Sequence, residues 1–162
     1  MKRLIQIIMC IAAVCFCSAE IQTDNLKELK KNFYSGSLTD KIATVQKAAS
    51  MDDSVNDIFT DALEFVQEYS SVLQDDPRMV NLVLEVIGNS SRIKDSANLR
   101  KTLSTLFYTY SEKSVKNAAI NVMKESKLDR SFMDSVNEYA LACLSEYTAA
   151  DLKSISDIIS AL

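Results

Sequence analysis

The chain has 162 residues, with 18 Lys and Arg against 22 Asp and Glu for a net charge of −4; His and Trp are absent, and there are two Gly and one Pro. An acidic chain repels a phosphate backbone, so nucleic acid is not an expected partner. Without His there is no imidazole base, triad or metal ligand, and so few turn-formers disfavour a β fold, which leaves an all-α chain.

Met1-Lys2-Arg3 is a short basic start, Leu4 to Phe16 is apolar except for Gln6, and Cys17-Ser18-Ala19 supplies the end of a cleavage site before Glu20. That is the form of a secretory signal over residues 1–19. The apolar run is shorter than the roughly 20 residues a spanning helix needs. The expectation is cleavage after Ala19 and release to the periplasm or the medium, the alternative being a retained anchor. Lipid attachment at Cys10, Cys15 or Cys17 is disfavoured, because Met9, Val14 and Phe16 are too large to precede a lipidated cysteine. Loss of Lys2 and Arg3 takes the net charge from −4 to −6 and leaves Cys143 as the remaining cysteine, so no internal disulfide is expected. Cys143 reads as a small buried apolar residue.

Apolar spacing then predicts a helix over 24–34 (Leu26, Leu29, Phe33), stopped by Ser35-Gly36-Ser37, and another over 40–50 (Ile42, Val45, Ala49). Ser54 is expected to cap a helix running to about Leu73, with Ile58, Ala62, Phe65, Val66 and Tyr69 on its apolar face. Asp76-Pro77 is a cap followed by an N1 proline. Its helix carries Val80, Val83, Leu84 and Ile87 and is expected to stop in a left-handed turn at Gly88-Asn89. Ser96 opens a helix with Leu99, Leu103, Leu106 and Tyr110, and residues 112–125 hold Val115, Ala118, Ala119 and Val122. Asp129 or Ser131 opens the next, with Val136, Ala140, Cys143 and Tyr147. Thr148 to Asp151 has capping-box spacing before a last helix with Leu152, Ile155, Ile158 and Leu162.

These helices repeat. Ile58, Ala62, Phe65 and Tyr69 fall on Leu99, Leu103, Leu106 and Tyr110, then on Val136, Ala140, Cys143 and Tyr147. The intervening helices register as Ile42, Val45, Ala49, then Val80, Val83, Ile87, then Val115, Ala118, Val122. Within this pattern, the segment from Asp76-Pro77-Arg78-Met79-Val80 to Ile87-Gly88 resembles the first helix of a HEAT repeat, Asp-Pro-x-Val-Arg-x-x-Ala-x-x-x-Leu-Gly, with Asn81 departing from the usual basic residue. Ser114-Val115-Lys116-Asn117-Ala118-Ala119 echoes it. The resemblance implies a short α-solenoid: three stacked antiparallel helix pairs over 38–148, with capping helices at 20–37 and 149–162. Stacked pairs share a core that one pair could not bury alone.

Chemistry is harder to find. Two isolated glycines exclude phosphate-binding loops. Ser91-x-x-Lys94 has the spacing of some acyl enzymes but no partner motifs. Asp52-Asp53 and Asp75-Asp76 sit at helix starts, where they meet the helix dipole. Asn89-Ser90-Ser91 is a glycosylation sequon that matters only in a eukaryotic secretory route. No catalytic, cofactor or metal-ligating residues are assigned. In HEAT-like stacks the second helix of each pair lines the concave face, and the resemblance places Asp61, Glu64, Glu68, Tyr108, Glu138 and Glu146 there. Acids around an exposed aromatic suit a basic or amphipathic peptide. The expected function is therefore a non-enzymatic exported scaffold or adaptor that binds a protein or peptide. Two alternatives stand beside it: a small-molecule or lipid carrier with a cavity near Met79, Met123 and Met133, and a carboxylate-based hydrolase.

Overall fold

A computed structural model describes residues 25–124 and 130–143; the signal segment, Glu146, Tyr147 and the helix expected over 149–162 lie outside the described residues, as does the side chain of Cys143. Among the described residues seven α-helices follow one another: α1 (residues 25–35), α2 (Leu38–Ala49), α3 (Asp57–Tyr69), α4 (Pro77–Gly88), α5 (Ser96–Thr109), α6 (Lys113–Met123) and α7 (Arg130–Cys143). Short 3₁₀ turns at Asp53–Val55 and Ser90–Arg92 precede α3 and α5, and the described residues contain no strand. The chain is all-α, as composition and periodicity imply.

Side chains that satisfy the first free N–H groups set most helix starts. Ser37 and Asp40 form a reciprocal capping box at α2, the Ser37 N–H donating to Asp40 Oδ2 over 2.9 Å. Asp76 accepts from the Arg78 N–H ahead of Pro77, and Asp95 accepts from the N–H groups of Ala97 and Asn98. Asp52, rather than Ser54, caps the turn before α3, and α3 ends at Tyr69, short of the expected Leu73. No left-handed stop forms after α4, since no described residue has positive φ. Instead the Asn89 side-chain amide donates to the Glu85 carbonyl over 2.9 Å, and the chain continues directly into a 3₁₀ turn. Gly36 has a steric reason to be glycine: a Cβ there would stand 2.5 Å from the Asn32 carbonyl oxygen and 2.6 Å from the Asp40 Cβ.

Packing places the helices in two rows. In one, α2 lies on α4 and α4 on α6; in the other, α3 lies on α5. The rings of Phe33 and Phe65, 5.9 Å apart, join α1 to α3, and those of Phe107 and Phe132, 5.2 Å apart, join α5 to α7. Between the rows, α5 packs on α6 and α3 on both α2 and α4. Fully buried Phe59, Leu63, Leu82 and Leu106 occupy the interior, each contributing about 2–3 kcal/mol relative to exposure.

The buried stripe of the even helices keeps the expected Val45, Val83, Ile87, Val115 and Ala119 and adds Thr44 and Ala48 in α2, Met79, Leu82 and Val86 in α4 and Ile120 and Met123 in α6. Ile42 is only partly buried and Ala49 is exposed.

Three cations tie helix ends together. Lys41 Nζ donates to the carbonyls of Phe33 and Gly36 and sits 5.0 and 4.9 Å from the rings of Phe33 and Phe65. Lys116 Nζ donates to the Phe107 carbonyl and lies 4.4 and 5.4 Å from Phe107 and Tyr139. Arg92 donates to the carbonyls of Ala48 and Asp52 and covers the Phe59 ring at 4.7 Å, fastening the α4–α5 connection to the end of α2. Each cation meets the negative end of a helix and an aromatic face at once.

Candidate functional site

Helix α3 buries Ile58, Phe59, Ala62, Leu63 and Val66 and therefore turns Asp57, Glu64 and Glu68 to solvent, while the side chain of Asp61, on the same side, is 13% exposed beneath α1. Spacings of four, three and four place these carboxylates along one side, and α3 contains no Lys or Arg. Phe65 and Tyr69 stack at 4.7 Å beside them, with Tyr69 39% exposed. Glu68 hydrogen-bonds Tyr69 and holds its phenol above the ordinary value.

From α1, Tyr34 joins this side. It is 63% exposed, its ring stands edge-on to Phe33 at 5.8 Å, and its phenol lies near the Asp61 carboxylate. Partial desolvation, then the Asp61 charge and, more weakly, Glu64 push the phenol up. Lys30 pairs with Asp61 at 3.0 Å. Desolvation pulls the Lys30 ammonium down, but Asp61 and then Asp57 outweigh it and leave it above its ordinary value.

The same arrangement recurs 74 positions later. Phe33 and Tyr34 become Phe107 and Tyr108, whose rings stand edge-on at 5.4 Å with Tyr108 56% exposed. Asp61 becomes Ser135, which accepts from the Tyr108 hydroxyl over 3.0 Å. Glu64 becomes Glu138, Phe65 becomes Tyr139, and Lys41 has its counterpart in Lys116, 75 positions on. Lys30 becomes Ser104, so the Lys30–Asp61 ion pair is replaced as a unit by two serines. Glu64 and Glu138 are both exposed, and neither has an ion-pair partner among the described residues.

Of the expected face, Asp61 and Glu64 come together with Tyr34 at the α1–α3 interface, Glu68 lies beside Tyr69, and Tyr108 and Glu138 belong to the equivalent α5–α7 interface. Glu146 lies outside the described residues. Tyr108 both projects and tucks: more than half exposed, it bonds the next helix through Ser135. Tyr34 is not among the residues expected on this face, because the HEAT resemblance makes residues 20–37 a cap outside the repeat. The repeated Phe-Tyr pair was the signal that could have found it.

Other chemistry is sparse among the described residues. No three His, Cys, Asp or Glu side chains gather to hold a metal ion, and no helix is long and apolar enough to cross a membrane. The two carboxyls moved off their ordinary range, Asp40 and Asp76, are both lowered, by hydrogen bonds from Ser37 and Arg78 respectively; a general acid needs the opposite shift. Ser91 and Lys94 stand exposed in the α4–α5 connection. Met79 and Met123 belong to the packed core, and an open groove of about 440 Å³ between α1 and α2 has a largely polar lining that includes Asn32, Asp40, Thr44 and Lys47. No known protein family matches the chain, and neither a curated protein nor a solved structure is similar to it.

Proposed function

We propose that this chain is an exported, non-enzymatic helical-repeat scaffold or adaptor that binds a protein or peptide along the row α1, α3, α5, α7. The observation that carries the reading is α3: Asp57, Glu64 and Glu68 exposed on one side of a helix that has no Lys or Arg of its own, with the exposed Tyr34 and Tyr69 beside them and Asp61 already paired to Lys30. Carboxylates next to exposed aromatic rings suit basic and amphipathic segments, since the rings supply contact area and the acids supply orientation. Two rows of stacked helices support a short HEAT-like solenoid, in which α1 would be a repeat member rather than a cap because it carries the same side-chain arrangement as α5. Export follows the signal-like residues 1–19, with the working chain beginning at Glu20 and residing in the periplasm or the medium.

The test is a cross-linking capture from cell-envelope extract with residues 20–162 as bait and a Glu64→Lys, Glu68→Lys variant as control. A protein retained by the unaltered chain and lost with the variant supports the acidic face. Equal retention moves the binding face elsewhere, and absence of any specific capture sinks the adaptor reading.

A further inference from the structure

The two exposed tyrosines sit in matching surroundings, and the match extends to charge. At the first, Tyr34 stands near Asp61, Glu64 lies one turn further along α3, and Lys30 pairs with Asp61 at 3.0 Å. At the second, Tyr108 bonds Ser135, with Glu138 one turn further along α7 and Ser104 where Lys30 would be. Both partners of the ion pair are exchanged together, so each place keeps one exposed tyrosine ring and one glutamate without a described counter-ion. The underlying support is also duplicated: Lys41 lies between Phe33 and Phe65, and Lys116 between Phe107 and Tyr139.

From this duplication, and resting on the adaptor reading above, we infer that Tyr34 with Glu64 and Tyr108 with Glu138 form two equivalent subsites for the arginine side chains of a single basic peptide. Arginine fits because its planar guanidinium stacks on a tyrosine ring and bonds a carboxylate through its edge, which an ammonium group does less well. The subsites are separated by the steps α1 to α3 and α3 to α5. Packed helices lie about 8–10 Å apart, which puts the subsites about 16–20 Å from each other. An extended peptide rises about 3.3 Å per residue, so its two arginines should stand about five or six positions apart. Occupying both subsites with one chain makes the second contact intramolecular.

Residues 20–162 would be titrated by fluorescence anisotropy with labelled Gly-Ser peptides carrying one arginine, two arginines five positions apart, or two arginines adjacent. The expected result is that the five-position peptide binds about tenfold or more tighter than either of the others. Glu64→Gln and Glu138→Gln, both at exposed positions, should each reduce it to the single-arginine affinity, and the double variant should reduce it further. Equal affinity for all three peptides, or loss confined to one variant, would overturn the paired subsites. If no arginine peptide binds while the envelope partner is still captured through Glu64 and Glu68, the paired subsites fail and the adaptor reading stands. Failure of both experiments removes both.

Discussion

Lys41 and Lys116 perform the same task in the two halves of the molecule with different degrees of commitment. Lys41 is 6% exposed, spans the carbonyls of Phe33 and Gly36, and lies in a hairpin closed by a capping box and by a glycine with no room for a Cβ. Lys116 is only half-buried, and α6 begins at Glu112 without a side-chain cap. The position of Gly36 is taken by Tyr110, which is 1% exposed and has no hydrogen-bond partner for its hydroxyl among the described residues. The first hairpin is held by polar groups whose hydrogen bonds are made; the second is held by burying a large ring at the cost of an unmet hydroxyl. One recurring design thus reaches similar geometry through hydrogen bonding in one place and apolar packing in the other.

Alkaline titration should separate them most. Burial, helped by the Glu112 charge, pushes the Tyr110 phenol up to about 12, above the value of about 10 for an exposed tyrosine. A group raised in the folded state supports folding below its unfolded pKa and loses that support as pH climbs through the folded one. Between pH 10 and 12 the fold should therefore lose about 3 kcal/mol through this residue. Tyr110→Phe should remove that loss, followed as urea midpoints against pH, and at neutral pH should be neutral or stabilising by about 1 kcal/mol. An unchanged alkaline limb in the variant would place the weakness elsewhere.

Next in size is the cation itself. Lys41→Met keeps the packing but leaves two carbonyls without this donor, at about 2 kcal/mol, net of the desolvation that lowers the Lys41 ammonium from its ordinary value. Lys116→Met should cost under about 1 kcal/mol, because water reaches its surroundings more easily. Equal costs in denaturant unfolding would show the two clamps to be energetically alike and break the contrast.

The smallest effect concerns the ion pair that one half has and the other lacks. Lys30→Ser with Asp61→Ser installs the second half's arrangement in the first. Since the side chains are 35% and 13% exposed, a double-mutant cycle should give a coupling of about 0.5–1 kcal/mol. A coupling near zero would mean that the pair tunes surface charge and adds nothing to stability.

Much of this fold is legible in the residues themselves. Asp76-Pro77 and the apolar spacing of each helix act within one or two turns of chain, so the sequence alone determines that the chain is all-α and very nearly where each described helix lies; the Ser37–Asp40 capping box starts α2 at Leu38, two residues before the place that apolar spacing gives it. Asn89 shows where local reasoning stops. A Gly-Asn pair permits a left-handed turn, but a side-chain amide that reaches the Glu85 carbonyl provides another way to end a helix. The rotation of each helix about its axis was decided by tertiary structure. Hydrophobicity alone selects Ile42, Val45 and Ala49, whereas packing buries Thr44, Val45 and Ala48 and draws in Lys41, a residue that reads as solvent-facing. Its burial depends on two rings and two carbonyls contributed by α1, α3 and the turn after α1. Likewise, the HEAT resemblance implies an acidic face that includes Asp61, Glu64 and Glu68, but only the approach of α1 to α3 and of α5 to α7 shows that Tyr34 and Tyr108 occupy equivalent places. A contact between helices depends on several segments at once, and no single stretch of chain encodes it.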